Sequence, residues 1–469
     1  MADSLPIHQY IHQIKQIIGD DGVIDDPVEL LSYESDALQG VRSEPYAVIF
    51  PRTTEEVSAV VKILHKAGIP FVPRGAGTGL SCGCLPIGGG VVISLIRMNR
   101  ILEIDVKNRY AVVEPGVINQ WITDAVKSAG LCFAPDPSSG NASTIGGNVA
   151  ENAGGPHTLK YGVTSNHILG LEMVLPDGEI VAIGGKTSET PGYDLVGIVT
   201  GSEGTFAIIT KIIVKLVRLP ETYVTFCAVF DSIDDAARSI TGLFSAGIMP
   251  AGLEMIDRVF MKALNQAFDM HFPEDADALL IIELDGQLSG METLKQRVID
   301  AAHTYNVRSI ETAVSDEERT RLWKARKLAF GAVGRISPCY FTQDGVVPRT
   351  KLPEIMRIIY DIGKKYNISI AMSFHAGDGN IHPCIPYDDR VPGAMENAIK
   401  AGTEILKACV DLGGSISGEH GIGAEKNNFM IWIYTDDDLA CMMNLKKAFN
   451  PDGLLNPHKI FPETVQLKI

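Results

Sequence analysis

The sequence predicts an α+β protein of two or three domains, and three observations support this. The chain has 469 residues, which at about 150 residues per domain is too long for a single hydrophobic core. Near the N-terminus a capped helix lies between two apolar strands, which is a short α/β unit, and further strands follow it. Beyond residues 219–221 longer helices alternate with strands, so a second domain of α+β type is expected there.

Local patterns justify the individual elements. Isoleucines at helical spacing between Ile7 and Ile18 predict an amphipathic first helix. The run TTEE at 53–56 is a capping box and predicts a helix that extends to about Lys66. Strands are predicted at 46–51, 69–73, 91–95, 101–105, 111–115, 168–175, 180–183, 206–217, 278–284 and 368–373. Further helices are predicted at 117–129, 233–246, 290–304, 317–333, 352–365 and 394–411.

Composition and charge restrict the range of functions. The formal net charge is −16, and an acidic surface of that size disfavours binding to nucleic acid. The N-terminus has no basic region followed by a continuous apolar stretch, so no signal peptide is predicted. The most apolar later stretch, residues 205–217, contains Lys211 and Lys215, which favours a buried strand over a membrane span.

Cysteine and glycine usage give two further indications. The 8 cysteines are scattered and form no CxxC pair, so no iron–sulfur cluster is expected within this chain. Without a secretory signal we interpret them as reduced thiols, which favours a cytoplasmic protein. Glycine is abundant, at 46 of 469 residues against a usual share of about 7%. These glycines cluster in a few segments, and the candidate sites lie there.

The first glycine cluster is the loop RGAGTGLS at 74–81, which follows a predicted strand. Its spacing matches neither the Rossmann G-x-G-x-x-G pattern nor a Walker motif, and Cys82, Gly83 and Pro86 disfavour a helix directly after it. Bare backbone N–H groups in such a loop can bind a pyrophosphate, and Arg74 can add positive charge. A tight turn without a ligand is the alternative.

The second glycine cluster spans residues 135–162 and contains many small polar side chains. Long irregular segments inside compact domains usually have a function, and a plain surface loop is the alternative. Ile145, Val149 and Ala150 interrupt the polar character of the segment. We therefore expect it to pack against another part of the protein.

Together these segments resemble a known superfamily. The motifs are RGAGTGLS at 74–81, APDPSS at 134–139, TIGGNVAENAGG at 144–155, YG at 161–162 and GSEGT at 201–205. In this order they are similar to the FAD domain of the vanillyl-alcohol-oxidase/PCMH flavoproteins. The resemblance is closest to the FAD-linked D-2-hydroxy-acid dehydrogenase family, which includes the flavoprotein component of bacterial glycolate oxidase and the FAD-dependent D-lactate dehydrogenases.

The resemblance implies a domain organisation. Residues 1–219 are expected to form the N-terminal helix and a PCMH-type FAD-binding domain of two α/β subdomains. Residues 220–425 are expected to form an α+β FAD-linked-oxidase substrate domain with an antiparallel sheet. The segment 426–469 is expected to return to the FAD domain.

The resemblance also implies how FAD is held. Thr78 lies near the position at which covalent members carry a histidine, so dissociable, non-covalent FAD is expected. The closing Asn-Pro segment at 456–457 is followed by His458, where the family usually has glycine. The residues implied to bind FAD are Arg74, Gly75, Ala76, Gly77, Thr78, Gly79, Leu80, Ser81, Asp136, Pro137, Ser138, Thr144, Gly147, Asn148, Gly154, Tyr161, Gly162, Glu203, Gly204, Ile208 and Asn456.

A cluster of histidines and a carboxylate marks the second half. His375 and His382 flank a Gly-Asp-Gly sequence that can fold them towards one point, and Glu419 lies in the motif SGEHGIG. Two imidazoles and one carboxylate are a typical ligand set for Zn²⁺, Fe²⁺ or Mn²⁺. From the residues alone, hydrogen-bonded turns without a metal remain the alternative.

The family resemblance assigns roles to these residues. It implies that His375, His382 and Glu419 bind a divalent metal and that His420 is the catalytic base. It also implies that Arg326 pairs with the substrate carboxylate, although the neighbouring basic residues would equally fit a solvated helix face.

The resemblance extends to the surroundings of the substrate. Asp344 lies in a segment similar to an Asp-x-x-x-Pro element that the family has near its active site. Phe330, Thr342 and Cys384 stand where members acting on dicarboxylic substrates have polar anchors, and Thr342 replaces a lysine there. The resemblance therefore implies a small substrate.

These features lead to a functional prediction. We expect an FAD- and metal-dependent dehydrogenase of a small D-2-hydroxy acid, with D-lactate favoured and glycolate as the alternative. Electrons would then pass to a partner, such as an electron-transfer flavoprotein, an iron–sulfur subunit or a quinone. The rival interpretations are a metallohydrolase and a non-catalytic FAD-binding protein of a larger complex.

Overall fold

A computed structural model describes residues 6–187 and 191–462. The chain separates into two compact units. The first unit comprises the chain up to Gly154, the segment Val163–Leu219 and the chain from His420 onwards. The second comprises Gly155–Gly162 and Pro220–Glu419.

In the part of the chain that the structure describes, the first unit contains three sheets. A four-stranded sheet has the order β1-β2-β4-β3, a five-stranded sheet the order β5-β6-β10-β8-β9, and β11 pairs with β7. The strands are β1 Val23–Ile24, β2 Ala47–Ile49, β3 Phe71–Arg74, β4 Val91–Ser94, β5 Ile101–Asp105, β6 Tyr110–Val113, β7 Leu131–Cys132, β8 Ile168–Val174, β9 Ile180–Gly184, β10 Ile208–Lys215 and β11 Val217–Arg218. Strands β2, β4 and β3 run parallel, whereas the five-stranded sheet is antiparallel.

The helices of the first unit cover its sheets. They are Ile7–Ile18, Pro27–Leu30, Thr54–Ala67, Asn119–Val126, Ile145–Glu151, Leu195–Val199 and Asp436–Phe449. One hydrophobic core joins the first and third of these helices to the four-stranded sheet, because their apolar faces bury Ile14, Val57 and Leu64 against it. Leu455, near the end of the chain, forms a parallel bridge with Phe71 and lies in the same core.

The second unit is built on one large sheet of nine strands. Its main order is β15-β12-β14-β13-β18-β19-β17, with β20 pairing to β16 and β18. The strands are β12 Thr222–Phe230, β13 Gly252–Asp257, β14 Ala278–Gly286, β15 Ser309–Thr312, β16 Cys339–Thr342, β17 Gly345–Val346, β18 Ala371–His375, β19 Asn380–Ile381 and β20 Pro383–Tyr387. The helices are Thr158–Tyr161, Ile233–Ser245, Arg258–Phe268, Met291–Thr304, Asp316–Ala332, Leu352–Tyr366 and Ala394–Asp411.

Strand β14 shows why this sheet needs helices on both faces. Its side chains alternate between two hydrophobic cores: Leu280 and Ile282 enter one, whereas Leu279 and Ile281 enter the other. A strand that is apolar on both sides must be covered on both sides. The antiparallel pairs β12–β14, β13–β14 and β13–β18 place the end of β18 beside the middle of β13.

The predicted α+β class is confirmed, and so are the helices and strands predicted from periodicity, within a few residues at their ends. Thr53 caps its helix by accepting a hydrogen bond from the Glu56 backbone N–H, as the capping box predicts. The Glu56 carboxylate, however, accepts from the backbone N–H of Arg52 and not of Thr53. The glycine loop after β3 does not open a helix, which agrees with the exclusion of a Rossmann motif.

Six helices in the described residues were not predicted from the sequence, and three of them have only four or five residues: Pro27–Leu30, Thr158–Tyr161 and Leu195–Val199. The glycine-rich segment 135–162 contains the helix Ile145–Glu151, which Thr144 caps by accepting from the Gly147 N–H. Two glycines at its start hid its apolar periodicity. The helices Arg258–Phe268 and Asp436–Phe449 were also missed. Within residues 6–187 and 191–462, none of the helices combines the length and apolar character needed to cross a bilayer.

Asp257, at the start of the helix Arg258–Phe268, makes the stability of the second unit pH-dependent. Its carboxyl group is fully buried, accepts the Phe260 N–H at 2.9 Å and faces the Tyr360 hydroxyl at 3.1 Å. Burial raises the pKa of Asp257 from 3.8 to about 7, despite these hydrogen bonds. Between pH 3.8 and about 7 the folded protein therefore holds a proton on Asp257 that the unfolded chain has released. The free energy of unfolding falls as pH rises through this range, and the contribution of this proton is lost above about pH 7.

We expect the variant Asp257→Asn, which keeps the helix cap, to have a flatter stability profile. Between about pH 5 and 8 the free energy of unfolding should fall by about 2–3 kcal/mol more in the wild type than in the variant. Urea unfolding at several pH values measures both curves. Parallel curves would contradict the prediction. Because the other titrating groups are the same in both proteins, their contributions cancel in the difference between the two curves.

Candidate active site

The three predicted metal ligands meet in the second unit. The Nε2 atoms of His375 and His382 lie 3.1 and 3.2 Å from Oε1 of Glu419. One ligand atom from each of the three residues lies within 4.8 Å of the others. Both imidazoles are buried, and their ring centroids are 5.1 Å apart. The arrangement presents two nitrogens and a carboxylate oxygen to one point.

A tight turn between the two histidines folds them together. His375 ends β18, and Gly379 follows with φ of +82°. A side chain at Gly379 would place its Cβ 2.1 Å from the carbonyl oxygen of Val347, so only glycine fits. The Asn380 N–H then donates to the Asp378 carboxylate at 3.0 Å, which closes the turn.

Glu254 supports His375 from behind, and no motif in the sequence points to it. These two residues are register partners on β13 and β18, with Oε1 of Glu254 2.6 Å from Nδ1 of His375. Arg326 donates from Nε to the other oxygen of Glu254 at 2.5 Å. Burial opposes ionisation of Glu254, yet His375 and Arg326 hold its pKa below the ordinary value. An ionised Glu254 only accepts, so Nδ1 of His375 carries hydrogen and Nε2 faces Glu419.

This contact changes the interpretation of Arg326. Its sequence context fitted both a solvated basic face and a substrate anchor. The side chain is instead 3% exposed, and its Nε is bound by Glu254. This contact uses Nε and not the two terminal nitrogens of the guanidinium group. A buried arginine also requires its counter-charge, which Glu254 provides.

Asp344 fixes the turn that carries Glu419. Its carboxylate accepts the Ser417 hydroxyl at 2.7 Å, the Gly418 N–H at 3.0 Å and the Glu419 N–H at 3.2 Å. The same group accepts Nδ2 of Asn380 at 2.6 Å. One buried carboxylate therefore holds the Glu419 turn next to the histidine turn. The sequence placed this residue near the site but gave no indication of this task.

The electrostatics of the cluster favour positive charge between its carboxylates. Burial disfavours an imidazolium, but Glu254 and Glu419 outweigh it and raise the pKa of His375 well above its usual range. Burial also opposes ionisation of Glu419, and His375 and His382 hold its pKa well below its usual range. A His–His–carboxylate donor set in such a site fits a divalent transition metal.

The two glycine-rich segments meet in the first unit, where they line one cavity. The wall formed by loop 74–81 and the segment 135–162 includes Arg74, Gly75, Thr144 and Gly147, all of which were predicted to bind the cofactor. Glu203 and Gly204 were also predicted and also line it. The remaining lining residues are Pro73, Gly83, Cys84, Leu95, Pro115, Gly146, Ala150, Glu151, Ala207 and Ile209.

Close contacts explain why this wall needs glycine. A Cβ on Gly75 would lie 2.3 Å from Oγ1 of Thr144, so the two segments touch through a position without a side chain. The guanidinium group of Arg74 lies against Gly77 of the same loop and donates to the carbonyls of Tyr33 and Ser35 at 3.4 and 2.9 Å. A glycine-rich loop of this kind can bind an anion through its backbone amides, as in an anion-binding nest.

Of the other residues predicted to bind FAD, Asn456 contacts the cavity wall, whereas Ile208 and Tyr161 lie elsewhere. Nδ2 of Asn456 donates to the carbonyls of Gly83 and Glu203 at 3.0 and 2.7 Å, which ties the closing segment to the cavity wall. Ile208 lies in the hydrophobic core and not in the wall, because its neighbours on β10 point the other way. In the second unit, the Tyr161 hydroxyl donates to Asp285 at 2.5 Å.

The remaining predicted residues have the following places. Nδ2 of Asn148 donates to Asn119. The first loop continues with Ala76, Gly77, Thr78, Gly79, Leu80 and Ser81. The turn at Thr144 is preceded by Asp136, Pro137 and Ser138. One segment of the first unit ends at Gly154, and one segment of the second unit ends at Gly162. His420 directly follows Glu419 in the chain, so consecutive Cα atoms about 3.8 Å apart keep its backbone beside that residue.

Comparisons with known proteins identify the family. The family model described as FAD linked oxidases, C-terminal domain, matches residues 219–460, and the FAD binding domain model matches residues 45–184. The first match alone covers more than half of the chain. The chain belongs to the FAD-linked oxidase family. It is therefore a flavin-dependent oxidoreductase.

Relatives of this FAD-linked oxidase have two kinds of name. It is 43% identical to glycolate oxidase subunit GlcD of Escherichia coli (strain K12), over 92% of this chain and 87% of the relative. It is 40% identical to glycolate oxidase subunit GlcD of Bacillus subtilis (strain 168), over 97% of each chain. It is 30% identical to D-lactate dehydrogenase of Anaerostipes hadrus, over 96% of this chain and 97% of the relative.

Solved structures of low sequence identity share the fold of this family member. 4-Ethylphenol oxidase from Gulosibacter chungangensis superposes with a TM-score of 0.80 at 22% identity, covering 99% of both chains. p-Cresol methylhydroxylase superposes with a TM-score of 0.77 at 17% identity, covering 97% of this chain and 96% of the other. These likenesses support the predicted PCMH-type architecture.

Proposed function

We propose that this FAD-linked oxidase is an FAD- and divalent-metal-dependent dehydrogenase that oxidises a small D-2-hydroxy acid, with D-lactate favoured, to the 2-oxo acid. The observation that carries the proposal is the convergence of His375, His382 and Glu419 on one point. A flavin enzyme that only bound FAD would not need this cluster. A bound divalent cation at that point acts as a Lewis acid towards the carboxylate and hydroxyl oxygens of the substrate.

The protein's own residues then have separate tasks. Glu254 fixes the tautomer of His375, and Asp344 holds the turn of Glu419, so both ligands are oriented before the cation binds. The terminal nitrogens of Arg326 are proposed to pair with the substrate carboxylate. His420 is proposed to take the proton of the substrate hydroxyl, because an imidazole is half protonated near neutral pH. FAD, when bound, supplies the hydride acceptor.

Binding of FAD is proposed to be non-covalent, because Thr78 offers no histidine for a covalent link. The predicted cofactor residues in the cavity wall, Arg74, Gly75, Thr144, Gly147, Glu203 and Gly204, are the strongest candidates for direct contact. Residues further along loop 74–81 are proposed to extend the binding surface for the dinucleotide.

The preference for a small substrate has support around His382. The ring of Phe330 lies edge-on to His382, with centroids 6.4 Å apart, and forms an apolar neighbour of the cluster. Thr342 is buried and directs its hydroxyl to the carbonyl of Pro383. Cys384 lies in the hydrophobic core. None of these three side chains offers a cation for a second carboxylate.

Glycolate is the second candidate substrate, because relatives at 43% and 40% identity are named glycolate oxidase subunit. The word subunit in that name also supports an assembly in which electrons leave through a partner. We propose an electron-transfer flavoprotein as that partner, with an iron–sulfur subunit as the alternative.

Anaerobic reduction of the bound flavin tests the substrate. D-Lactate, L-lactate, glycolate and D-2-hydroxyglutarate are each mixed with the enzyme before and after treatment with a chelator. We expect rapid bleaching of the flavin by D-lactate and its loss after chelation. Bleaching that is faster with glycolate would favour the second candidate, and bleaching that survives removal of all metal would contradict metal dependence.

The variant His420→Ala tests the proposed base. It should retain FAD and metal but lower the rate of flavin reduction by about 10²–10⁴, since general-base catalysis is lost. Stopped-flow absorbance measures the rate, and His12→Ala is the control because His12 lies exposed on the first helix. Unchanged reduction in His420→Ala would exclude the role.

A further inference from the structure

Two carboxyl groups lie in the wall of the proposed FAD cavity, and the proposed reaction does not use them. Glu151 ends the helix Ile145–Glu151, and Glu203 lies in the turn before β10. Both line the cavity beside Gly83 and Cys84. Acidic groups are unexpected where a cofactor with a negatively charged pyrophosphate binds.

Glu203 is held as a hydrogen-bond acceptor. Its Oε1 accepts the Ile422 N–H at 2.7 Å and its Oε2 accepts the Gly423 N–H at 2.6 Å. The residue is 6% exposed and has φ of +52°, a conformation that costs energy for glutamate. Burial raises the pKa of Glu203, and the two amide donors to its oxygens act in the other direction by favouring the ionised form.

Glu151 differs from Glu203 because one of its carboxyl oxygens lacks a hydrogen-bond partner among the described residues. Its Oε2 atom is buried and has no hydrogen-bond partner among the described residues. A Cβ on Gly421 would lie 2.6 Å from this Oε2 and 3.0 Å from Oε1 of Glu203, so the two carboxyl groups face each other across that glycine. A Cβ on Gly83 would lie 2.6 Å from Oε1 of Glu151. Two glycines therefore make room for this one carboxyl group.

The surrounding charges agree with a neutral Glu151. Burial and then repulsion from Glu203 and Asp36 raise its pKa well above the usual range, although Lys459 and Lys426 act in the other direction. Nζ of Lys459 is bound to the carbonyl of Leu85 at 2.8 Å. Neither glutamate belongs to a metal-type cluster of the described residues. We therefore interpret Glu151 and Glu203 as a pair that binds a proton and not a metal ion.

We propose that Glu151 and Glu203 form a coupled carboxyl pair in the cavity wall that holds a single proton, in which Glu203 accepts the amides of residues 422 and 423 and Glu151 carries the proton and donates a hydrogen bond to bound FAD. The inference rests on the proposed function only in naming FAD as the acceptor. It makes Glu151 a positioning residue for the cofactor. Two buried carboxylates that face the same glycine repel each other, which favours a single proton on the pair and keeps one donor available at neutral pH.

Infrared spectroscopy of the full-length protein without FAD tests the protonation. The wild type at pH 7 should show a carboxylic-acid C=O band that disappears in Glu151→Gln. Asp257→Asn is the matched control, because that buried carboxyl group gives a band of its own. In Glu203→Gln the Glu151 band should persist but titrate at a lower pH, since the repulsion is removed. Absence of a Glu151 band, or an unshifted titration in Glu203→Gln, would overturn the pair.

FAD affinity, measured by fluorescence quenching, tests the donor role. Glu151→Gln retains a donor and should bind FAD within about threefold of the wild type, whereas Glu151→Met should bind about tenfold more weakly. Tighter binding by Glu151→Gln would indicate an ionised Glu151, and unchanged binding by Glu151→Met would remove the hydrogen bond; both overturn the inference. Glu179→Gln, on an exposed turn, is the control. A wild type that fails to bind FAD would instead contradict the proposed function, while the infrared test still decides the pair.

Discussion

Replacing His382 with alanine should remove the divalent metal and lower the rate of flavin reduction by a D-2-hydroxy acid by about 10³ or more. Its Nε2 is one of three donor atoms that meet at a point, and two remaining ligands bind a cation far more weakly. Without the cation, the proposed proton transfer from the substrate hydroxyl to His420 lacks the Lewis acid that would offset the negative charge on the substrate oxygen. The loss therefore appears in catalysis and not in FAD binding.

Metal analysis by mass spectrometry and stopped-flow flavin reduction measure the two effects on one preparation. FAD content should stay at one per chain, because the glycine-lined cavity belongs to the other unit. His65→Ala is the control, since this histidine lies in the first unit and pairs with Asp452. If His382→Ala retained one metal per chain and reduced its flavin at the wild-type rate, the ligand assignment would be wrong.

Replacing Glu254 with alanine should destabilise the protein by about 3–5 kcal/mol. The carboxylate is fully buried between His375 and Arg326, both of which are also buried. Its removal leaves a guanidinium group in the interior without a counter-charge, and a buried charge without a partner costs several kcal/mol. The same change frees His375 to rotate, so metal affinity should fall by about 10–100-fold.

Urea unfolding gives the change in the free energy of unfolding, and titration of the metal-free protein gives the affinity. Glu254→Gln should lie between alanine and wild type, because an amide keeps one acceptor but loses the charge. Glu311→Gln on the exposed edge strand is the control, with an expected change below about 0.5 kcal/mol. Wild-type stability in Glu254→Ala would show that Arg326 and His375 do not depend on this carboxylate.

Much of the candidate site could be predicted because its determinants are local. The spacing of His375 and His382 around a Gly-Asp-Gly turn depends on only a few consecutive residues, and the turn forms as expected. The glycine loop at 74–81 could likewise be recognised from consecutive residues, because its glycines lie close together in the sequence. Family resemblance then supplied roles for Glu419 and His420 that spacing alone left open.

Other parts of the site could not be predicted because they depend on partners far away in sequence. Glu254 lies more than a hundred residues from His375, and only the pairing of β13 with β18 places them side by side. Arg326 looked like one of several surface charges until the packing of its helix buried it against Glu254. Asp344 lay in a segment similar to a family element, but its task became visible only with the turn it holds.

By itself the sequence determined the α+β class, most of the longer helices, about half of the strands, the family, and the residue types from which a metal site and a flavin site can be made. Periodicity, helix caps and glycine turns depend on a few neighbouring residues, and they can therefore be predicted from the sequence alone. Only the tertiary structure decided which carboxylates face which cations and which face one another. Burial makes an unpaired charge costly, and burial is a property of the packed chain.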